Sequence, residues 1–347
     1  MKRFEKHVGP LIIATTRPRA SAQKVLKLDA KQQTFAHNFK HASLKHEDGC
    51  FNLEKRPGIY NNGTVVVGSD GNVIHETFFE STTVVKCMEW MIGRQTDGKS
   101  ANAPCFLSGD KLYVVDNNDA VSTVARDYWN LDTEELGDFW VRKLYNPREP
   151  QDEIKVSVLF LTAPEEELAG EQGEKTMRVL QMICGNKANV YKMAPSIVCI
   201  QQAGVNKGTA LQKLFELDEN LKLSADNLMT IGSSNNDIDM IITSKVGVAM
   251  DNSSIDLLNF ADVVTSSNGD QGAKKVLDLL SDRAKSNTKN TKDKVKNFKN
   301  HAALSQHIRN SILGATSKMR HFSFRGQHNA SAENPSPAPS IENIPCC

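Results

Sequence analysis

The chain has 347 residues, of which 39% are hydrophobic and 24% charged, with a formal net charge of +1 at pH 7. That length and composition suffice for two modest apolar cores, and the near-neutral balance excludes a global electrostatic bias toward nucleic acid. No segment approaches the roughly 18 consecutive apolar residues of a membrane-spanning helix, so the expectation is a soluble two-domain protein.

Met1-Lys2-Arg3 leads through Pro10 to the apolar run Leu11-Ile12-Ile13-Ala14, followed by Thr15-Thr16-Arg17-Pro18. Four apolar residues behind a proline are too few for a secretory core. Gly58 to Val67 reads GIYNNGTVVV, and its Asn62-Gly63 is the dipeptide that most strongly marks a hairpin turn. From Val73 to Ile200, Val-rich strands such as Lys155 to Leu161 and Ser196 to Ile200 alternate with helical stretches such as Thr82 to Met91 and Glu174 to Cys184. Val205 to Leu214 reads VNKGTALQKL. The apolar strand Leu228 to Ile231 runs into Gly232-Ser233-Ser234-Asn235-Asn236-Asp237 and the helix-like run Ile238 to Ile242. Val246 to Met250 and Ala261 to Thr265 complete the strands. In 1–74 and 201–282 the alternation of apolar strands with helical patterns is the signature of a parallel sheet between helices.

A strand, a glycine, a polar loop and a helix N-terminus favour an anion, because backbone N–H groups and the helix dipole converge there. Three side chains along the chain carry groups that an anion can use: Thr15 offers a hydroxyl, Lys207 a point charge and Asn236 an amide hydrogen. Asp237 would hold a metal-bound water or orient Lys207. The plainer alternative is a turn residue at Thr15, a solvated helix start at Lys207 and an N-cap pair at Asn236-Asp237. Tyr128, Trp129, Phe139 and Trp140 either line a lid or form the core of their own unit.

Taken in order, Thr15 to Pro18, GIYNNGTVVV, KGTAL from Lys207, GSSNND from Gly232, GVAM from Gly247 and ADVVT from Ala261 resemble the Cof-type phosphatase branch of the haloacid dehalogenase (HAD) superfamily. The resemblance covers roughly the first 280 residues, and ordered motifs are far more specific than one glycine loop. It implies an α/β fold, a Rossmann-like core of residues 1–74 and 201–282 with an α/β cap inserted at 75–200. It further implies Mg2+-dependent hydrolysis of a small phosphorylated metabolite, often a phosphosugar, with phosphate bound by Thr15, Lys207 and Asn236 and the metal contacted indirectly by Asp237.

Two departures qualify that activity. The family opens on a strand carrying DxDGT, whose first Asp is the nucleophile; here only Met1 to Ile13 precede Ala14, and the first Asp of the chain is Asp29. The first Asp of GDxxND, a metal ligand in the family, is Ser233, whose neutral hydroxyl is a weak ligand for a hard cation. The expectation is a HAD-like hydrolase that is inactive or impaired, a pseudoenzyme or a truncated chain. Without that strand its two neighbours keep unpaired backbone groups, at about 1–3 kcal/mol for each group buried unsatisfied. The alternative is a non-catalytic module that binds a phospho-ligand or a partner.

The seven cysteines show neither metal-ligand spacing nor an even disulfide framework, which points to a reducing, cytoplasmic setting. Between Arg283 and Arg325 eleven Lys or Arg face one acid, Asp293, and a Pro-, Ser- and Ala-rich stretch follows. Residues 283–347 therefore read as a basic, flexible tail. Its alternative roles are contact with anionic lipid or nucleic acid, or membrane attachment through Cys346-Cys347, which resembles a doubly prenylated end.

Overall fold

The computed structural model describes residues 4–5, 8–27, 53, 55–93, 103–115 and 128–290. They form an α/β arrangement of three sheets. The first contains β1 (Ile13–Ala14), β2 (Gly58–Tyr60), β3 (Val65–Val67) and β4 (Val73–Glu76), in that order. Strand β1 is followed by α1 (Arg19–Lys27) and runs parallel to β2, while β2/β3 and β3/β4 are antiparallel. The β2–β3 hairpin turns through Asn61, Asn62 and Gly63, at φ of 49°, 55° and 108°. Asn and Gly tolerate that left-handed region best, which is why the turn forms here. Gly63 is required a second time, since a Cβ there would lie 2.4 Å from the Asn206 carbonyl oxygen.

The second sheet is fully parallel, in the order β11 (Met229–Gly232), β12 (Val246–Met250), β13 (Val263–Thr265). Its connections carry α6 (Ile238–Thr243) and α7 (Ile255–Phe260), and α8 (Gly272–Asn290) follows. Helix α5 (Lys207–Leu217) joins the two sheets. Its Ala210, Leu211 and Leu214 pack with Ile59 and Val66 of the first sheet and with Met240 of α6. Ile12, Ala14 and Leu228 border the same cluster. Among the described residues β1 pairs with β2 alone and β11 with β12 alone, so the parallel sheet expected over 1–74 and 201–282 is built in two pieces. Burial on α5, rather than a continuous strand ladder, holds those pieces together.

The third sheet has the order β7 (Thr133–Glu135), β6 (Lys111–Val114), β5 (Ala103–Ser108), β8 (Val158–Thr162), β10 (Ile197–Gln202), β9 (Ala188–Ala194). Helices α2 (Ser81–Gly93), α3 (Trp140–Leu144) and α4 (Gly170–Cys184) cover one face. Leu159 and Leu161 of β8 point to that helical face, whereas Val158 and Phe160 point to the other. Strand β8 is apolar from Val158 to Leu161 because both of its faces are covered. Trp129 lies fully buried on the second face, with ring centroids 4.6 Å from Phe160 and 4.9 Å from Tyr128. Trp140 packs against the helical face, and Phe139 is 73% exposed. Of these four aromatics, Tyr128 is the one placed against the first sheet's loops.

The last helix continues to Asn290, eight residues past the expected boundary at 282. Residues 291–347, with the remainder of the basic tail and Cys346-Cys347, lie outside the described residues, as does Cys50. Among the described residues no helix is long and apolar enough to cross a membrane.

Candidate functional site

Helix α5 starts sharply because Asn206 and Thr209 cap it reciprocally: the Thr209 amide donates to Asn206 Oδ1 at 2.8 Å and the Asn206 amide to Thr209 Oγ1 at 3.0 Å. Lys207, the first residue of the helix, turns inward and is 5% exposed. Its Nζ donates to Asp237 Oδ1 at 2.6 Å. A solvated helix start is therefore not what the fold makes of Lys207.

Asp237 closes the loop that leaves β11. Its second oxygen accepts from the Ser233 amide at 3.0 Å, the Ser234 amide at 3.1 Å and the Ser234 hydroxyl at 3.1 Å. Burial by itself would raise the Asp237 pKa. The Lys207 charge and hydrogen bond, with the Ser233 and Ser234 amides, outweigh it and hold the carboxyl below the ordinary 3.8. The loop needs Gly232, since a Cβ there would lie 2.6 Å from the Asp237 Cβ. Ser234 also donates to Asn236 Oδ1, so the amide nitrogen is the end of Asn236 turned away from Ser234. Ser233 itself is exposed.

Helices α5 and α6 approach closely at Gly208, where a Cβ would meet the Asp239 backbone carbon at 2.7 Å. Gly208→Ala forces the two helices apart between Lys207 and Asp237. The expected cost is about 1–3 kcal/mol, read as a lower Tm by calorimetry; an unchanged Tm would mean that the approach is not tight.

Thr15 ends β1. Its amide donates to Ile59 O at 2.9 Å, its carbonyl accepts from the Asn62 amide at 3.0 Å, and its hydroxyl accepts from the Arg17 amide at 3.1 Å. The turn role is thus realised, and the hydroxyl hydrogen remains available as a donor. Thr15 reaches α5 through the Asn62-Gly63 backbone rather than through a side-chain bond. The fold thus gathers Lys207, Ser233, Asn236 and Asp237 directly and Thr15 at one remove.

Beside this group lies a polar junction to the third sheet, in which the motif residue Asn62 meets Gln201 and Tyr191, residues that the motifs did not single out. Asn62 Nδ2 donates to Gln201 Oε1 at 2.7 Å and to the Tyr191 hydroxyl at 3.1 Å, and Gln201 Nε2 returns a bond to Asn62 O at 3.0 Å. The Tyr191 hydroxyl donates to Gln201 Oε1 at 2.9 Å, and burial pushes its pKa well up. Asn61 Nδ2 donates to Gly109 O at 3.1 Å, the Ala20 amide to Asp110 Oδ1 at 2.9 Å, and Arg17 to the Tyr128 carbonyl. One signal was present in the sequence: Gln201 is a polar residue at the end of an apolar strand, and it is buried.

A divalent cation finds little here. Both Asp237 oxygens are engaged, and among the described residues no group of three His, Cys, Asp or Glu side chains is placed to hold a metal. Mg2+ is ordinarily held through one or two carboxylates with waters and substrate phosphates, and Asp237 is the carboxylate of this loop.

Solved structures with this fold include a Thermotoga maritima protein, 20% identical, TM-score 0.57, matched over 80% of this chain and 90% of its own. Another is a haloacid dehalogenase-like hydrolase from Bacteroides thetaiotaomicron, 16% identical, TM-score 0.59, over 80% and 89%. Curated relatives match over shorter stretches. The 5-amino-6-(5-phospho-D-ribitylamino)uracil phosphatase YcsE of Bacillus subtilis is 33% identical over 100 residues, 28% of this chain and 39% of that protein. A phosphoglycolate phosphatase of Methanoculleus marisnigri is 41% identical over 66 residues, 19% and 27% respectively. The chain thus spans well under half the length of these curated relatives. The profile of the haloacid dehalogenase-like hydrolase family matches residues 1–277, and with its motif loops and fold in place the chain belongs to that family.

Proposed function

We propose that this chain binds the phosphoryl group of a small phosphorylated metabolite, of the phosphosugar type, and that its phosphatase chemistry is impaired or absent. The observation that carries the reading is the buried pair of Lys207 and Asp237. A lysine ammonium held at the start of a helix, beside a loop of serines and asparagines, presents a fixed positive charge to an anion. Asp237 orients Lys207, Asn236 supplies an amide hydrogen and Thr15 a hydroxyl hydrogen. Relatives matched over part of their length are phosphatases by name, of a phosphoribitylamino-uracil and of phosphoglycolate, which favours a small phosphorylated ligand.

Phosphoryl transfer to the protein needs a carboxylate with an oxygen free to attack. In this reading Asp237 is a structural acceptor, its oxygens taken up by Lys207 on one side and by Ser233 and Ser234 on the other. At the position of the family's metal-ligand Asp stands the Ser233 hydroxyl. The described residues therefore bind better than they react. In the same reading residues 75–200 act as a cap over the site, tethered at the Asn62, Gln201 and Tyr191 junction.

Thermal shift with inorganic phosphate and with a hexose phosphate tests the reading, alongside a phosphate-release assay with and without Mg2+. Both anions are expected to raise Tm, with little or no release. Asn236→Ala, a half-buried loop change, is expected to weaken the shift without unfolding the chain. Rapid release stimulated by Mg2+ would show an intact enzyme, and a flat Tm with every anion would remove the site altogether.

A further inference from the structure

The helical face of the third sheet holds a feature that phosphate binding does not use. Cys87 of α2 and Cys184, the last residue of α4, meet with their sulfurs 3.4 Å apart, although 97 positions separate them in the chain. Both are buried, at 1% and 3% exposure, in one apolar cluster with Met88, Met91 and Leu180. A disulfide has its sulfurs about 2.0–2.1 Å apart, so the two thiols lie more than about 1 Å from bonding distance. Gln181 fixes the end of α4, donating to Gly185 O and Ala188 O, both at 2.7 Å, and accepting from the Val190 amide at 3.0 Å. Cys184 is therefore held facing Cys87, while Gly185 next to it stands in open space at the surface.

The other two described cysteines make a comparison within the same sheet. Cys105 of β5 and Cys199 of β10 each lie opposite Phe160 of the intervening β8. Two strand spacings, roughly 9–10 Å, separate their backbones, beyond the roughly 7 Å limit for a disulfide. Burial raises both thiols, Cys199 to about 12. At the first pair either thiol can donate to the other, and the shared hydrogen bond with burial pushes Cys87 up. The direct sulfur contact is what sets this pair apart from Cys105 and Cys199.

We propose that Cys87 and Cys184 form a redox site, in which a peroxide converts the neighbouring thiols into a disulfide bonding α2 to α4. One sulfur of the pair attacks a peroxide oxygen, the O–O bond breaks, and the departing hydroxide takes the thiol proton to leave as water. The other sulfur then attacks the resulting sulfenic sulfur, the S–O bond breaks, and the second hydroxide takes its proton. Two thiols and one hydrogen peroxide give one disulfide and two waters, and a dithiol reductant reverses the change. The bond closes a long loop, so the oxidised chain is the more stable form.

The full chain, reduced and then treated with hydrogen peroxide, is analysed by non-reducing peptide mass spectrometry and thermal denaturation. The expected result is a Cys87–Cys184 cross-linked peptide lacking two hydrogen masses, reversed by dithiothreitol, with Tm higher by on the order of 5–10 °C. Cys184→Ser and Cys87→Ala are each expected to abolish the cross-link and the Tm rise while Cys105 and Cys199 stay reduced in every sample. Sulfinic acid at Cys184 without a cross-link, or disulfides confined to other cysteines, would overturn the proposal.

Discussion

Asp237→Ala is expected to remove about 3–5 kcal/mol of stability, because it leaves the Lys207 ammonium buried without its counter-charge. For a unit of this size that is a fall in Tm of roughly 6–20 °C. Lys207 and Asp237 are nearly closed to solvent. The exposed pair of Arg178 and Glu174, cut in the same way, should change stability by about 1 kcal/mol at most. The pH dependence carries a definite sign. The Asp237 carboxyl is held below its ordinary 3.8 in the fold and recovers that value on unfolding. Its contribution is complete above the unfolded value and is lost as pH falls through the folded one. Scanning calorimetry from pH 7 downward should therefore show Asp237→Asn well below wild type at neutrality, with the gap closing below about pH 4. Equal Tm values at pH 7 would mean that the pair contributes nothing, and the positioning of Lys207 would need another cause.

Trp129→Ala is expected to cost about 3–5 kcal/mol as well, through the cavity left when a large ring leaves a closed core. The effect should spread beyond that cavity. Trp129 packs on Tyr128, whose carbonyl accepts from Arg17 and whose ring lies 5.7 Å beneath the Arg17 guanidinium. Removing the indole thus loosens one of the contacts that tie the third sheet to the loop after β1. Denaturant unfolding followed by far-ultraviolet circular dichroism measures it. Phe139→Ala, at a ring 73% exposed, should stay within about 0.5 kcal/mol of wild type. If the two substitutions cost the same, Trp129 is not a core residue.

What the amino-acid sequence determined by itself was local. The hairpin at Asn62-Gly63 was legible because left-handed backbone favours Asn and Gly. The strand, loop and helix from Leu228 to Ile242 were legible because an apolar run, a glycine and capping residues are neighbours in the chain. The order of these motifs carried the family. Even there boundaries moved: the strand expected at Lys155 to Leu161 lies at Val158–Thr162, since strand ends depend on the partners β5 and β10 supply. Tertiary structure decided the rest. Lys207 at a helix start reads the same whether solvated or buried, and it becomes the buried partner of Asp237 only because Gly208 lets α6 bring in that residue, 30 positions away. Trp129 and Phe139 are alike in hydrophobicity, and only the packing of the second sheet face puts one inside and leaves the other in water. The Asn62 and Gln201 junction spans 139 positions and the Cys87 and Cys184 contact 97. Backbone conformation is set by near neighbours, but a side chain's partner is set by how distant segments close on one another.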